Sequence, residues 1–233
     1  MSTKTGSPRK KLAIVLLSGG LDSCVTLAIA SKEHEIALLH AQYYQRTQSR
    51  ELIAFHKIAN HFKVPEDRIL ITEIDYLKKI GGSSLTDKNL PIDKGETGSV
   101  IPNTYVPFRN TLLLSIAVSW AEVIEAEKIF IGAVQQDSPD YPDCRKEYYE
   151  AFNKLVEVGT KPSTHIQVVT PIIGMKKADI VKRGIELGAP LPLTWSCYEN
   201  NDMACGQCNS CILRLRAFEV AGYEDKICYF ENV

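Results

Sequence analysis

The sequence has no long hydrophobic run and no excess of charge of either sign. No apolar stretch approaches the ~20 residues that a membrane-spanning helix needs, so a helical membrane protein is not expected. The chain carries 27 Lys and Arg against 28 Asp and Glu, a formal net charge of -1. This balance argues against a protein whose main task is to coat nucleic acid. Internal repeats and low-complexity segments are also absent, which argues against solenoids and disordered chains.

A secretory signal peptide is poorly matched as well. Basic N-terminal residues precede an apolar stretch, residues 12–17. That stretch is shorter than the roughly 7–15 residues of a signal hydrophobic region, and no small-residue cleavage site follows it. We therefore expect residues 1–10 to form a flexible tail and the protein to be cytoplasmic.

The seven cysteines are an odd number, and four of them cluster near the C-terminus. This distribution is unlike the disulfide framework of a small secreted protein. A reducing compartment and a metal site fit it better.

Five short apolar runs alternate with helical patterns along the chain, and each run is continuous rather than alternating, as in buried parallel strands. We expect the helices near residues 22–32, 47–62, 108–126, 145–159 and 176–187. The alternation predicts an α/β protein with a doubly wound, Rossmann-like parallel sheet, in which ligands bind beyond the carboxyl ends of the strands. The predicted strands are KLAIVLL, EIALLH, RILITEI, EKIFIGAV and HIQVVTP.

The segment 81–107 has little periodicity and is rich in glycine and proline. It is predicted to be a long loop, and loops of this length in compact domains are usually functional or disordered. The composition changes again near Pro190. We therefore divide the chain into an α/β domain over 11–190 and a cysteine-rich region with a closing helix over 191–233.

The hexapeptide SGGLDS, residues 18–23, directly follows the first predicted strand. Its two glycines permit a sharp turn and a close approach of the backbone to a ligand. The helix that follows presents unpaired N–H groups and partial positive charge, which suit an anion. Ser18 and Ser23 can each donate a hydrogen bond to a phosphate oxygen, while Asp22 is better placed beside Mg²⁺. A capped turn with no ligand is the alternative.

This motif lacks the Lys-Ser/Thr ending of a Walker loop and does not match the dinucleotide-binding pattern. It resembles, letter for letter, the SGGxDS signature of the PP-loop ATP pyrophosphatases. That resemblance implies cleavage of ATP between the α and β phosphates and adenylation of a substrate oxygen. It implies a nucleotide site formed by Leu16, Leu17, Ser18, Gly19, Gly20, Leu21, Asp22, Ser23, Cys24, Val25 and Thr26.

Four cysteines near the C-terminus have the spacing of a metal site, C-x7-C-x2-C-x2-C. Tetrahedral sulfur coordination suits Zn²⁺, and clustered cysteines at this spacing also hold iron–sulfur clusters. We favour a structural zinc ion, whose binding would contribute to folding. Cys24 has no partner at such spacing and is expected to pack in the core. The expected ligands are Cys197, Cys205, Cys208 and Cys211.

Further blocks extend the resemblance from about residue 12 to residue 222. The segments YYQRTQSRELIAFHKIA, GGSSLT, PNTYVPFRN, GAVQQDSPDYPDCR and TPIIGMKKADIVKRGIELG are similar, in this order, to those of an ATP-dependent ligase family of the queuosine pathway. The resemblance implies that 7-carboxy-7-deazaguanine and ammonia yield a nitrile, with two ATP consumed in successive adenylations. It also suggests a homodimer with no direct contact to nucleic acid and none to a membrane.

The same resemblance, together with side-chain chemistry, implies roles for residues outside the hexapeptide. Catalytic roles are expected for Ser18, Asp22, Ser23, Arg109 and Lys176. Substrate contacts are expected for Arg46, Arg109, Asn110, Asp137, Asp143 and Arg145, because a carboxylate pairs well with adjacent N–H and amino groups of a guanine-like edge. Gln45 is a weaker candidate, and His40 is more typical of a structural histidine.

Two other functions remain open from the sequence alone. The first is another enzyme of the PP-loop superfamily, a tRNA thiolase or an amidating ligase of nucleotide metabolism. A thiolase would need a reactive cysteine pair near ATP and a basic surface, and the near-neutral charge disfavours it. A zinc-ribbon binding module would leave the strand–SGGLDS–helix unit without a role.

Overall fold

The five apolar runs each form one strand of a single sheet in which every pair of neighbours is parallel. The computed structural model describes residues 10–92, 101–135 and 141–230. The fold class predicted from the sequence is confirmed. The strands are β1 (Leu12–Leu16), β2 (Glu35–Gln42), β3 (Ile69–Glu73), β4 (Lys128–Ile131) and β5 (Gln167–Val169).

The strand order is β3-β2-β1-β4-β5, so the chain moves outward from β1 in one direction and then restarts on its other side. The register pairs Leu16 with Leu39 of β2 and with Ile131 of β4. All three strands therefore end at the same edge, beside the point where the direction of winding reverses. In open parallel sheets ligands bind at this position.

All five predicted helices are present within a few residues of their expected bounds. The short helix α3 was not predicted, because five residues are too few to show helical periodicity. The helices are α1 (Leu21–Ala30), α2 (Gln48–His61), α3 (Tyr76–Ile80), α4 (Arg109–Ile124), α5 (Lys146–Gly159), α6 (Lys177–Glu186) and the closing helix α7 (Asn209–Ala221).

The helices cover both faces of the sheet because the strands are apolar on both. On one face, Ile14 and Leu16 of β1 pack with Leu114 of α4 and Phe152 of α5. On the other face, Val15 packs in the cluster that includes α1 and α2 side chains. Successive side chains of a strand point to opposite faces, so a continuous apolar run is what a sheet covered on both sides requires.

The C-terminal region packs directly on the α/β core. Phe218 and Ala217 of α7 share a buried cluster with Ile180 of α6 and Val25 of α1. The domain boundary placed at residues 190 and 191 stays a prediction. Among the described residues, no helix is both long enough and apolar enough to span a bilayer.

Arg214 of α7 anchors this region through a buried ion pair. Its side chain is 1% exposed, and Nε and Nη2 donate to the two carboxylate oxygens of Asp225 at 2.6 and 3.0 Å. Nη1 donates to the Thr194 hydroxyl at 2.7 Å. Such a pair is costly to break, because the remaining partner is left as an uncompensated buried charge.

Replacing Arg214 by Met is expected to lower the free energy of unfolding by about 3–5 kcal/mol, measured by urea denaturation. The matched control is Arg183→Ala, which removes the exposed partner of Glu186 and should cost at most about 1 kcal/mol. Equal effects of the two substitutions would show that the buried pair does not anchor α7.

Candidate active site

A cavity of about 320 Å³ opens at the carboxyl edge of the sheet, beside the reversal in strand order. Its wall includes the segment after β1, the segment joining β2 to α2, the start of α4 and residues of the C-terminal region. The location is the one that the predicted topology requires. Residues that are far apart in the sequence are therefore brought together there.

The turn after β1, which we call the phosphate corner (residues 18–23), is closed by its own hydroxyl groups. The Ser18 and Ser23 oxygens lie 3.1 Å apart. Gly20 N–H donates to Ser18 Oγ at 3.2 Å, and Ser23 Oγ donates to the Gly20 carbonyl at 2.9 Å. Both hydroxyls line the cavity. The corner is thus preformed with hydroxyl groups at its surface.

Gly19 has the backbone conformation that favours glycine, with φ +93°. A Cβ atom at this position would lie 2.6 Å from the Glu51 carbonyl oxygen of α2. Gly20 then serves as the N-cap of α1 with no side-chain cap, and the first turn contains Asp22 as its acidic residue. An uncapped helix start that faces a cavity is a favourable site for an anion.

Gly132 allows the end of β4 to lie directly against the phosphate corner. A Cβ atom at Gly132 would be 2.9 Å from the Asp22 carbonyl carbon and 3.0 Å from Ser23 N. Any side chain here would push β4 and α1 apart. Sequence analysis did not single out this glycine, since only the tertiary contact reveals its role.

Asp22 and Lys177 form the charged centre of the cavity. Lys177 Nζ donates to Asp22 Oδ2 at 2.6 Å, while Asp22 Oδ1 is buried without a hydrogen-bond partner among the described residues. An unpartnered carboxylate oxygen beside a phosphate site fits a Mg²⁺ ligand. The predicted Lys176 instead caps α6, is exposed and does not line the cavity. In this segment, therefore, Lys177 lines the cavity and the predicted Lys176 does not.

The predicted nucleotide-site residues divide into two groups. Most of the segment 16–23 lines the cavity, with Gly19 as the exception. The side chains of Cys24, Val25 and Thr26 are buried in α1 and do not reach it. Burial raises the pKa of the Cys24 thiol to about 12, which keeps it neutral at physiological pH. Cys24 therefore packs in the core, as its lack of a spaced partner indicated.

Arg109 enters the cavity as the first residue of α4. Its Nη1 donates to the Tyr43 hydroxyl at 3.0 Å, and its Nε is buried without a partner in the described part of the chain. Phe108 precedes it in the left-handed conformation, with φ 58°. This backbone turn places a buried guanidinium beside the phosphate corner.

Asn110 and Asp143, both predicted to contact substrate, bind each other. Asp143 Oδ2 accepts from the Asn110 backbone N–H at 3.0 Å, and the Asn110 side-chain amide donates to the Asp143 carbonyl at 2.9 Å. Asn110 lines the cavity, whereas Asp143 does not. Their contacts fix the start of α4 against the segment before α5, and this orients Arg109.

The other predicted substrate residues have different positions. Arg145 is exposed as the N-cap of α5 and does not line the cavity. Arg46 lines it, but its guanidinium donates to the carbonyls of Ser84, Asp87, Lys88 and Leu90. Arg46 therefore holds the start of the long loop. Asp137 lies outside the described residues.

Glu51 is a cavity residue that sequence analysis missed. Its carboxylate accepts from Gln45 Nε2 at 3.0 Å and from Thr47 Oγ1 at 2.9 Å. Burial raises the pKa of this carboxyl group, against the opposite effect of the two hydrogen bonds. Tyr141 and Tyr198 are further lining residues that were not predicted. The sequence signal that could have found Glu51 is its position in the segment that begins with Gln45 and Arg46.

The four predicted metal ligands converge. The sulfur atoms of Cys197, Cys205, Cys208 and Cys211 all lie within 4.8 Å of one another. Backbone N–H groups of Glu199, Asn200 and Cys205 approach Cys197 Sγ at 3.4 Å, and those of Gln207 and Cys208 approach Cys205 Sγ at 3.4 and 3.3 Å. Such donors stabilise thiolates, so the cluster fits a tetrahedral metal ion.

The cysteine cluster is connected to the phosphate corner through Trp195. The Trp195 backbone N–H donates to the Gly19 carbonyl at 2.9 Å, and its indole N–H donates to the Asn200 carbonyl at 3.1 Å. The Arg50 guanidinium of α2 lies over the indole ring, 4.4 Å from its centroid. The C-terminal region thus forms part of the cavity wall.

Among solved structures, the chain is similar to an NMN synthetase from Francisella tularensis, with a TM-score of 0.48, 14% identity and coverage of 93% of this chain and 79% of that one. It is also similar to the U34-tRNA thiolase NcsA from Methanococcus maripaludis, with a TM-score of 0.49, 13% identity and coverage of 94% and 76%. At this distance the two likenesses do not bear on function.

Sequence relatives are much closer. Residues 12–222 match the family model described as "Queuosine biosynthesis protein QueC". The 7-cyano-7-deazaguanine synthase of Chlorobium chlorochromatii is 58% identical over 93% of this chain and 95% of its own length. The corresponding synthase of Acidobacterium capsulatum is 51% identical over 96% of this chain and 98% of its own. The chain therefore belongs to the QueC family of queuosine biosynthesis, the 7-cyano-7-deazaguanine synthases.

Proposed function

We propose that this chain uses two ATP to convert 7-carboxy-7-deazaguanine and ammonia into 7-cyano-7-deazaguanine at a single site. A carboxylate oxygen attacks the α-phosphorus of ATP, which forms an acyl-adenylate and releases pyrophosphate. Ammonia then adds to the acyl carbon, and AMP leaves with the former carboxylate oxygen to give an amide. A second ATP adenylates the amide oxygen, and loss of AMP and protons leaves the C≡N bond.

The observation that carries this proposal is the arrangement at the phosphate corner. Ser18, Ser23 and the start of α1 offer hydrogen-bond donors, and the Asp22–Lys177 pair lies beside them in the cavity. Preorganised donors and cations stabilise charge that develops on a departing pyrophosphate more than charge already present in the ground state. Bound Mg²⁺ at Asp22 would supply further positive charge to the phosphates.

Arg109 supplies a second cation to the same cavity. Its Nε, which has no partner among the residues that the structure describes, leaves a donor for a carboxylate or a phosphate oxygen, and a guanidinium can bind either in a bidentate manner. We assign to it the alignment of the substrate carboxylate with the α-phosphate. The catalytic residues proposed are accordingly Ser18, Asp22, Ser23, Arg109 and Lys177, with Lys176 replaced by its neighbour.

We further propose that the cysteine cluster holds a structural Zn²⁺. We also propose that the chain is a cytoplasmic homodimer, and that it acts on small molecules with no direct nucleic-acid contact. The zinc proposal rests on the closed, buried set of four sulfur atoms. Exposed apolar residues on α4 and α5, Val123, Leu155 and Val158, provide surface for a subunit contact.

Incubation of the chain with 7-carboxy-7-deazaguanine, ammonia and ATP is expected to give the nitrile base, with two AMP formed for each nitrile. Mass spectrometry identifies the base, and chromatography quantifies AMP. Omission of ammonia should stop nitrile formation. ADP as the nucleotide product, or a thiolated nucleoside on incubation with tRNA and a sulfur donor, would contradict the proposal.

Lys177→Met is expected to lower kcat about 100-fold, because it removes a cation where charge develops in the transition state. Asp22→Asn should have a similar effect, since it removes the oxygen charge proposed for Mg²⁺. Lys176→Met is the matched control and should stay within about threefold of the wild type, because that side chain is exposed. A larger loss of kcat in Lys176→Met than in Lys177→Met would instead assign the catalytic role to Lys176.

Metal analysis of the purified protein is expected to find one zinc ion per chain. Cys208→Ser should abolish zinc binding and destabilise the fold, because binding of a structural metal contributes to folding. Cys228→Ser, at an exposed thiol outside the cluster, is the control and should retain the ion. Stoichiometric iron with inorganic sulfide in the native protein would instead identify an iron–sulfur cluster.

A further inference from the structure

His40 lies in β2, is 1% exposed and packs against the Phe55 ring, with 4.8 Å between ring centroids. Its Nδ1 lies 2.9 Å from the Leu17 carbonyl oxygen. A carbonyl can only accept a hydrogen bond, so Nδ1 carries the proton. The other ring nitrogen, Nε2, is buried without a partner among the described residues. The ring therefore donates a hydrogen bond through Nδ1, and its Nε2 accepts none from the described residues.

For the stability of the fold, the histidine brings one favourable and one unfavourable contribution, the hydrogen bond to Leu17 and the buried Nε2. A buried polar group without a hydrogen-bond partner is unfavourable, whereas an apolar side chain of similar size would fill the same space and need no such partner. Phe55, which packs on the imidazole, belongs to an apolar cluster that would surround such a side chain. The hydrogen bond to Leu17 is the contact that an apolar residue could not provide.

Leu17 is the last residue before the phosphate corner. Its own N–H donates to the Leu39 carbonyl at 2.9 Å, which extends the pairing of β1 with β2 by one residue. The imidazole then binds the Leu17 carbonyl where the chain leaves the sheet. Because a trans peptide is planar, the N–H of Ser18 points opposite to the Leu17 carbonyl, and so away from β2.

A second carbonyl of the same corner is held in a similar way. The Gly19 carbonyl accepts from the Trp195 N–H at 2.9 Å. A carbonyl oxygen that turned toward the cavity would repel a phosphate, whereas an N–H would bind it. Binding of both carbonyls by donors outside the corner therefore keeps two acceptor oxygens away from an anion in the cavity.

We propose that His40 is a positioning residue whose Nδ1–H holds the Leu17 carbonyl and thereby directs the Ser18 N–H as a donor to the phosphates of ATP. The inference rests on the proposed function, since it assumes that ATP binds at this corner. It adds a residue that lies behind the corner and does not line the cavity.

The test compares His40→Leu, which removes the donor, with His40→Asn, whose side-chain amide offers an N–H close to the position of Nδ1. His40→Leu is expected to raise the KM for ATP about tenfold, equivalent to about 1.4 kcal/mol, while circular dichroism shows that the variant is folded at the assay temperature. His40→Asn should recover most of the affinity. An unchanged KM for ATP in His40→Leu, or no recovery in His40→Asn, would overturn the proposal.

His34→Leu is the matched control. His34 Nδ1 also lies near a backbone carbonyl, that of Ala30 at 3.2 Å, but at the far end of α1. Its KM for ATP should equal that of the wild type. If the wild-type chain itself fails to consume ATP with the deazaguanine carboxylate, the proposed function fails first. Normal wild-type turnover with no effect in His40→Leu removes only the role of His40.

A measurement on the wild-type protein keeps the proposal testable if the variants do not fold. With ¹⁵N-labelled histidine, NMR should show His40 as the Nδ1–H tautomer, and saturation with Mg²⁺ and inorganic pyrophosphate should shift its Nδ1 resonance. The His34 resonance should stay in place. An Nε2–H tautomer, or a His40 resonance unaffected by pyrophosphate, would refute the positioning role.

Discussion

The close approach of the phosphate corner to its neighbours is the constraint on which the rest of the structure depends. Gly19 lies against the Glu51 carbonyl of α2, and Gly132 lies against the backbone of Asp22. At both positions a single Cβ atom would overlap backbone atoms of another element. The phosphate corner, α2 and the end of β4 can therefore meet at one point only because these two positions carry no side chain.

Around that point, other segments of the chain hold the groups that face the cavity in position. Asp143 fixes the start of α4 and so places Arg109, while Trp195 binds the Gly19 carbonyl from the C-terminal region. The four cysteines lie in one apolar cluster with Trp195 and Ala54 of α2. A metal ion there would stabilise the wall of the cavity as well as the C-terminal chain, because the two share side chains.

Opposite charges balance within the cavity. Lys177 binds Asp22, and Arg109 contacts Tyr43 close to the buried Glu51 carboxyl group. In a partly buried site such pairs limit the free energy of desolvation. Within the described ranges, Asp22 Oδ1 and Arg109 Nε are left without hydrogen-bond partners. These two atoms are where a ligand would complete the arrangement.

The sequence by itself determined the parallel sheet, five of the helices, the glycine turn after β1 and the four cysteines whose sulfur atoms converge. Each of these is local: a continuous apolar run, a helical period, or a fixed spacing of glycine, serine or cysteine. It also pointed to Lys176 and Arg145, which do not line the cavity, because a helix start shows which residues are charged but not which of them turns toward the sheet edge. Only the tertiary structure selected Lys177 and Glu51, revealed the need for Gly132 and gave His40 a contact. Those features depend on distances between segments far apart in the chain, and no local pattern encodes such distances.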